Sequence, residues 1–156
     1  MSERSIDLNA DLGESFGAWK MGADEQLLQL VSSCNIACGF HAGDPLTMQR
    51  TVALAIANGV AIGAHPSLPD LVGFGRREMQ VAPTELGALV LYQVAALMGF
   101  TQVRGVRLHH VKAHGALYAM LGRDAQLAAA FVAAVHALDA ALMVYGPPQG
   151  ELRNSC

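Results

Sequence analysis

The sequence predicts an α/β architecture on a parallel sheet, and three features carry that expectation. Short apolar runs alternate with helix-length amphipathic ones. Helix-capping residues and Gly or Pro punctuation fall between them. Polar and ionisable side chains recur just after the apolar runs, where parallel sheets gather their ligands. Parallel strands joined by right-handed crossovers form either an open doubly wound sheet or a barrel, and periodicity does not separate the two.

Residues 5–9 predict the first strand. Asp24 precedes Gln26, Leu27, Leu28, Leu30 and Val31, an acidic cap ahead of an apolar helical face. Residues 33–38 predict a buried second strand that empties into a Gly-containing turn, after which Asp44 caps a helix with Pro45 at its first position. Met48, Val52, Ala55 and Ile56 share one side of that helix, and Asn58–Gly59 supplies a left-handed stop. Residues 60–64 predict the third strand, followed by a Gly- and Pro-dense loop over 66–81; loops this long in compact domains usually carry function. Pro83 opens a helix expected to stop at Gly99, and residues 106–112 predict the fourth strand. A helical turn is expected over 117–121, Asp124 caps an alanine-rich helix to about residue 138, and 141–145 predict the fifth strand. About five strands are few for a closed barrel, and 151–156 offer no closing element, so the expectation is one domain, 1–156, forming the N-terminal portion of a longer one.

Composition removes several function classes. With 156 residues and 53% apolar content the chain can bury a core. Ten basic and 13 acidic residues give a net charge of −3 without blocks of like charge, which argues against a nucleic-acid partner. Residues 1–5 lack an apolar signal segment, and the apolar stretch 127–145 is broken by His136 and Asp139. No membrane span is expected, and the expected compartment is the cytoplasm. Three cysteines, Cys34, Cys38 and Cys156, are expected to be reduced, with Cys34 and Cys38 as core packing rather than zinc ligands beside His41. No P-loop or Gly-x-Ser-x-Gly elbow occurs, and Gly73-Phe74-Gly75 lacks the third glycine of a dinucleotide fingerprint.

The chemistry is expected at the strand ends. Asp7, Asn9 and Asp11 alternate, so one face of the first strand carries all three. The second strand leads to His41 and Asp44, the third to His65, the fourth to Lys112 and His114. Singly, Asp44 is a helix cap and a lone His is structural; together they point to a shared site. Carboxylates and imidazoles suit a divalent metal and hydrolysis, but the same groups serve metal-free general-base chemistry with Lys112 stabilising an oxyanion. Arg76 and Arg77 are candidates for gripping a carboxylate or phosphate.

Asp7-Leu8-Asn9-Ala10-Asp11-Leu12-Gly13-Glu14-Ser15-Phe16-Gly17 resembles the opening signature of the LamB/YcsF family. Residues 35–44, 63–66, 73–77 and 114–118 are similar to its later motifs in the same order. The resemblance implies a seven-stranded variant of the parallel β/α barrel, of the glycoside hydrolase/deacetylase type and incomplete here, with edges left open. It implies ATP-dependent opening of 5-oxoproline to glutamate together with two further subunits, ATP and Mg²⁺ being bound by this chain or by a partner. The catalytic set expected on this basis is Asp11, His41, His65, Lys112 and His114, with Asp7, Asn9, Glu14, Asn35, Asp44, Arg76 and Arg77 binding substrate. A divalent metal, if used, is expected on Asp11, His65 and His114. Ala113 stands where the family usually has proline, which should loosen that strand end. Competing readings are a stand-alone metal-dependent deacetylase or amidohydrolase acting on a sugar derivative, and a non-catalytic ligand-binding subunit.

Overall fold

A computed structural model describes residues 5–156; the expectation about the N-terminus falls largely on residues 1–4, outside the described residues. Five parallel strands, β1 (Asn9–Leu12), β2 (Ser33–Ala37), β3 (Ala61–His65), β4 (His110–Lys112) and β5 (Met143–Tyr145), pair in chain order. A doubly wound sheet reverses its strand order at a switch point. This sheet never does, so its winding is that of a barrel.

Side-chain contacts across the sheet show how strongly it curls. The Tyr145 hydroxyl on β5 donates to Asp7 Oδ2, just before β1, at 3.2 Å. Four strand spacings of about 4.8 Å would hold β1 and β5 roughly 19 Å apart in a flat sheet. Lys112 Nζ on β4 likewise reaches Asp11 on β1 at 2.7 Å. The polar face is therefore concave, and the alternation of strand side chains assigns it Asn9, Asp11, Asn35, Gly63, His65, His110 and Lys112. Leu12, Cys34, Ile36, Ile62, Ala64 and Val111 lie on the other side and are buried.

The connecting helices pack over that apolar side: α1 (Asp24–Leu27), α2 (Pro45–Ala57), α3 (Pro83–Gln102), α4 (Gly115–Arg123), α5 (Ala125–Leu138) and α6 (Glu151–Ser155). Asp44 caps α2 by accepting from the Leu46 and Thr47 amides, and Asp124 caps α5 from Gln126 and Leu127. Among the described residues α3 alone is long and apolar enough to cross a membrane by length and composition, yet its Leu86, Val90, Val94 and Leu97 belong to the core. Buried Gln93 on the same helix binds both backbone groups of Ser67. It thereby anchors the long loop after β3.

Several boundaries differ from expectation for identifiable reasons. The first strand begins at Asn9 rather than residue 5, because the Ser32 hydroxyl takes the Leu8 amide in place of a ladder carbonyl. Asp24 is not the cap of α1; Ala23 holds that position, and the Asp24 carboxylate instead accepts from the Gly13 amide at 2.9 Å. Gly99 does not stop α3, which runs to Gln102; left-handed backbone is needed only at Gly105, with φ of 70°. The fourth and fifth strands are shorter than expected, and 117–121 is part of a full helix.

Candidate active site

Three histidines and one carboxylate meet above the strand ends. His65 closes β3, His41 follows β2, His114 precedes α4, and Glu14 follows the turn at Gly13, where φ is 70°. His41 and His114 stack face to face with ring centroids 3.7 Å apart, and His65 stands edge-on to both. All three are buried, whereas Glu14 is half-buried. Glu14 Oε1 lies 3.0 Å from His41 Nε2 and 3.6 Å from His114 Nδ1.

Hydrogen bonds to backbone carbonyls fix the neutral tautomers. His65 Nδ1 is 2.6 Å from the Lys112 carbonyl and His114 Nε2 is 2.8 Å from the Phe74 carbonyl. A carbonyl oxygen only accepts, so each of these nitrogens carries the proton. The lone pairs of His65 Nε2 and His114 Nδ1 then face each other at 3.0 Å. Only a shared proton or a cation makes that approach favourable. Burial, reinforced by the neighbouring His41 and His65, lowers His114 to about 4, and burial also lowers His41 despite its bond to Glu14. A proton held on either of those two rings is thus disfavoured.

A cation suits the same geometry. One ligand atom from each of Glu14, His41, His65 and His114 lies within 4.8 Å of the others. Tetrahedral bonds of about 2.1 Å place ligand atoms roughly 3.4 Å apart. The carbonyl bonds of His65 and His114 are the outer contacts that orient imidazole ligands. The group that could hold a metal therefore differs from the expected Asp11, His65 and His114: Glu14 and His41 join it and Asp11 stands beside it. Asp11 Oδ2 is 3.4 Å from His65 Nε2, while Oδ1 accepts from Lys112 Nζ and from Asn35 Nδ2. Burial raises the Asp11 pKa, but the hydrogen bond and charge of Lys112, and of His65 whenever its Nε2 carries a proton, outweigh it and hold the carboxyl well below the usual range.

A polar network continues down the concave face. Buried Asn35 pairs reciprocally with Asn9 and binds His110 Nε2 through its Oδ1 at 2.6 Å. His110 stacks on Tyr145 at 3.9 Å, and burial lowers its pKa to about 4. Asp7 sits at the far end of this face, bound by Ser32, Ser33 and Tyr145. Asp7 and Asn9 therefore belong to a wall beneath the histidine group. His110 and Tyr145 were missed by sequence reasoning. Their alternation with Lys112 and after residue 141 was the available signal.

The loop after β3 supplies the lid of the group and redefines its two arginines. Asp70 takes the Arg77 guanidinium together with the Gly73 and Arg77 amides, an arrangement that lowers it to about 2. Arg77 thus holds the loop. Arg76 is exposed, its guanidinium 5.7 Å from the Phe74 ring centre. Phe74 is, among the described residues, the one non-glycine in the left-handed region, with φ of 54°; strain of this kind persists where surrounding contacts impose it. Its carbonyl holds His114. Asp44 is also corrected: both carboxylate oxygens are engaged, by the Leu46, Thr47 and Gly17 amides and the Thr47 hydroxyl. Cys34 and Cys38 are core residues whose thiols burial pushes up to about 12.

Comparison with known proteins agrees with this fold. The model of the LamB/YcsF family matches residues 6–156. The chain is 63% identical over 142 residues to a 5-oxoprolinase subunit of Bordetella pertussis (strain Tohama I), covering 91% of this chain and 56% of that protein. It is 55% identical over 147 residues to the corresponding 5-oxoprolinase subunit of Bacillus subtilis (strain 168), covering 94% and 57%. The crystal structure of the lactam utilization protein from Thermus thermophilus superposes with a TM-score of 0.96 at 51% identity, over 97% of this chain and 62% of that one. The chain thus spans a little over half the length of the curated relatives it matches.

Proposed function

The chain belongs to the LamB/YcsF family, and from that premise we propose that it contributes the hydrolytic site of an ATP-dependent 5-oxoprolinase, which opens 5-oxoproline to glutamate. The observation that carries the reading is the convergence of Glu14, His41, His65 and His114 on one point above a polar concave face. An unstrained lactam is a poor electrophile. Transfer of the ATP γ-phosphoryl group to its carbonyl oxygen releases ADP and makes that oxygen a leaving group. Water then adds to the carbon, the ring nitrogen takes a proton as the C–N bond breaks to leave an acyl phosphate, and a second water hydrolyses that acyl phosphate to the glutamate carboxylate and free phosphate.

In this scheme Asp11 and the histidines accept and return protons, and Lys112 offsets charge developing on oxygen. Asn35, itself paired with Asn9, holds Asp11 in place. A divalent ion on the Glu14–histidine group would polarise a carbonyl or lower the pKa of water. We place the work in the cytoplasm, with two further subunits and with ATP and Mg²⁺ held in the assembled enzyme; the naming of both relatives as subunits supports a multisubunit setting.

The test mixes the full-length protein with its partner subunits and measures ATP-dependent glutamate formation. Loss of turnover in His65→Ala with intact assembly is expected. Full activity in that variant would overturn the assignment. The Glu14–histidine group also favours a second reading, a metal-dependent amidohydrolase working alone, which would show turnover of an amide without ATP.

A further inference from the structure

Beside the histidine group lies a cavity of about 410 Å³, lined by Asn9, Lys112, Tyr118, Val144, Tyr145 and Gly146. Its place in the fold is set by Lys112, whose carbonyl holds His65 while its ammonium lines the cavity. The volume falls in the range of small-molecule sites. Its donors are unevenly committed. Both amide groups of Asn9 are engaged by Ser33 and Asn35. The Tyr145 hydroxyl is engaged by Asp7, and its ring is fixed on His110. Lys112 Nζ gives one proton to Asp11, and an ammonium has three. Among the described residues the half-buried Tyr118 hydroxyl makes no side-chain hydrogen bond, and α4 holds it against the cavity.

A cation with donors to spare, a free phenol and a flat aromatic wall suit a small ring that carries a carboxylate. We infer that this cavity seats the substrate's carboxylate between Lys112 and Tyr118, with the ring lying toward Tyr145, and that Tyr118 sets the preference for a carboxylated lactam over a plain one. The inference rests on the lactam-hydrolysing reading above. The carboxylate end is then held in the cavity while the lactam carbonyl extends toward His65. A hydrogen bond from Tyr118 to a carboxylate is charge-assisted and therefore among the stronger kinds.

The experiment compares 5-oxoproline with 2-pyrrolidinone, the same lactam without its carboxylate, in the enzyme reconstituted from the full-length protein and its partners. Tyr118→Phe removes one oxygen and keeps the ring. It should raise KM for 5-oxoproline by about tenfold or more, the effect of losing a charge-assisted hydrogen bond, with kcat within about twofold of the parent on the same grounds. The ratio of kcat/KM for the two lactams should fall by the same factor. A merely structural role would lower turnover of both lactams together and leave the ratio alone, and that result would overturn the inference. An unchanged KM would overturn it as well. If the parent enzyme fails to turn over 5-oxoproline, the functional reading itself fails; direct titration of the full-length protein with 5-oxoproline and 2-pyrrolidinone then decides the cavity separately, equal affinities counting against it.

Discussion

Substituting Gly63 by Ala should damage the concave face more than any other single-methyl change on the strands. A Cβ at Gly63 would lie 2.2 Å from His110 Nε2, 2.4 Å from Cδ2 and 2.5 Å from Cε1. Carbon atoms rest at about 3.5–4.0 Å, so the ring must retreat by more than roughly 1 Å. Tyr145, stacked at 3.9 Å, and Asn35, bonded at 2.6 Å, leave it little room to do so. Overpacking costs about 1–3 kcal/mol, and stranding a buried imidazole N–H costs about 1–3 kcal/mol more. Their sum lies near 4 kcal/mol, which for a chain of this size lowers Tm by roughly 10 °C. Urea unfolding followed by circular dichroism measures it. A double-mutant cycle with His110→Ala tests the cause, because the Gly63→Ala cost should largely vanish once the ring is gone. An equal cost in both backgrounds, or an unchanged midpoint in the single variant, refutes the reasoning.

Asp44 makes a pH prediction. The Thr47 and Gly17 amides hold it at about 2 against an ordinary value of 3.8. A lowered carboxylate stabilises the fold fully above the unfolded value and loses that contribution as pH falls toward the folded one. Asp44→Asn should therefore show a shallower loss of stability between pH 4 and pH 2 than the parent, and identical acid slopes would exclude this role. Titrating Zn²⁺ or Mn²⁺ into the full-length protein should reveal one tight equivalent that raises Tm. Elemental analysis should find it lost in His114→Ala and kept in Asp11→Asn; the reverse pattern would restore Asp11 as a ligand. In native protein one thiol, Cys156, should react with a disulfide reagent and all three after unfolding, since Cys34 and Cys38 are buried and hold their protons. Rapid native reaction of two or three would contradict the core assignment.

Much of the site could be read from one dimension because parallel sheets deliver strand-end residues to one place. Lys112, Asp11, His65 and His114 do lie in one connected chain of contacts. The loop and cap roles of Arg77 and Asp44 were not separable from ligand binding in the sequence, because charge and exposure look alike for both. Asp70 and the α2 amides are what separate the cases. His110 and Tyr145 went unselected because their alternation along a strand marks only a face, and what that face meets is fixed only when the sheet curls.

What the sequence by itself determined was the alternation of elements, the caps of α2 and α5 and the polar face of each strand, since propensity, capping and two-residue periodicity are local. Tertiary structure alone decided that the strands wind in one direction, that β4 and β5 bend back to β1, and that Glu14 and His41 gather around His65 and His114 with Asp11 beside them. Those outcomes depend on sheet curvature and on a left-handed turn at Gly13, and distances between residues far apart in the chain are fixed only when the curvature is.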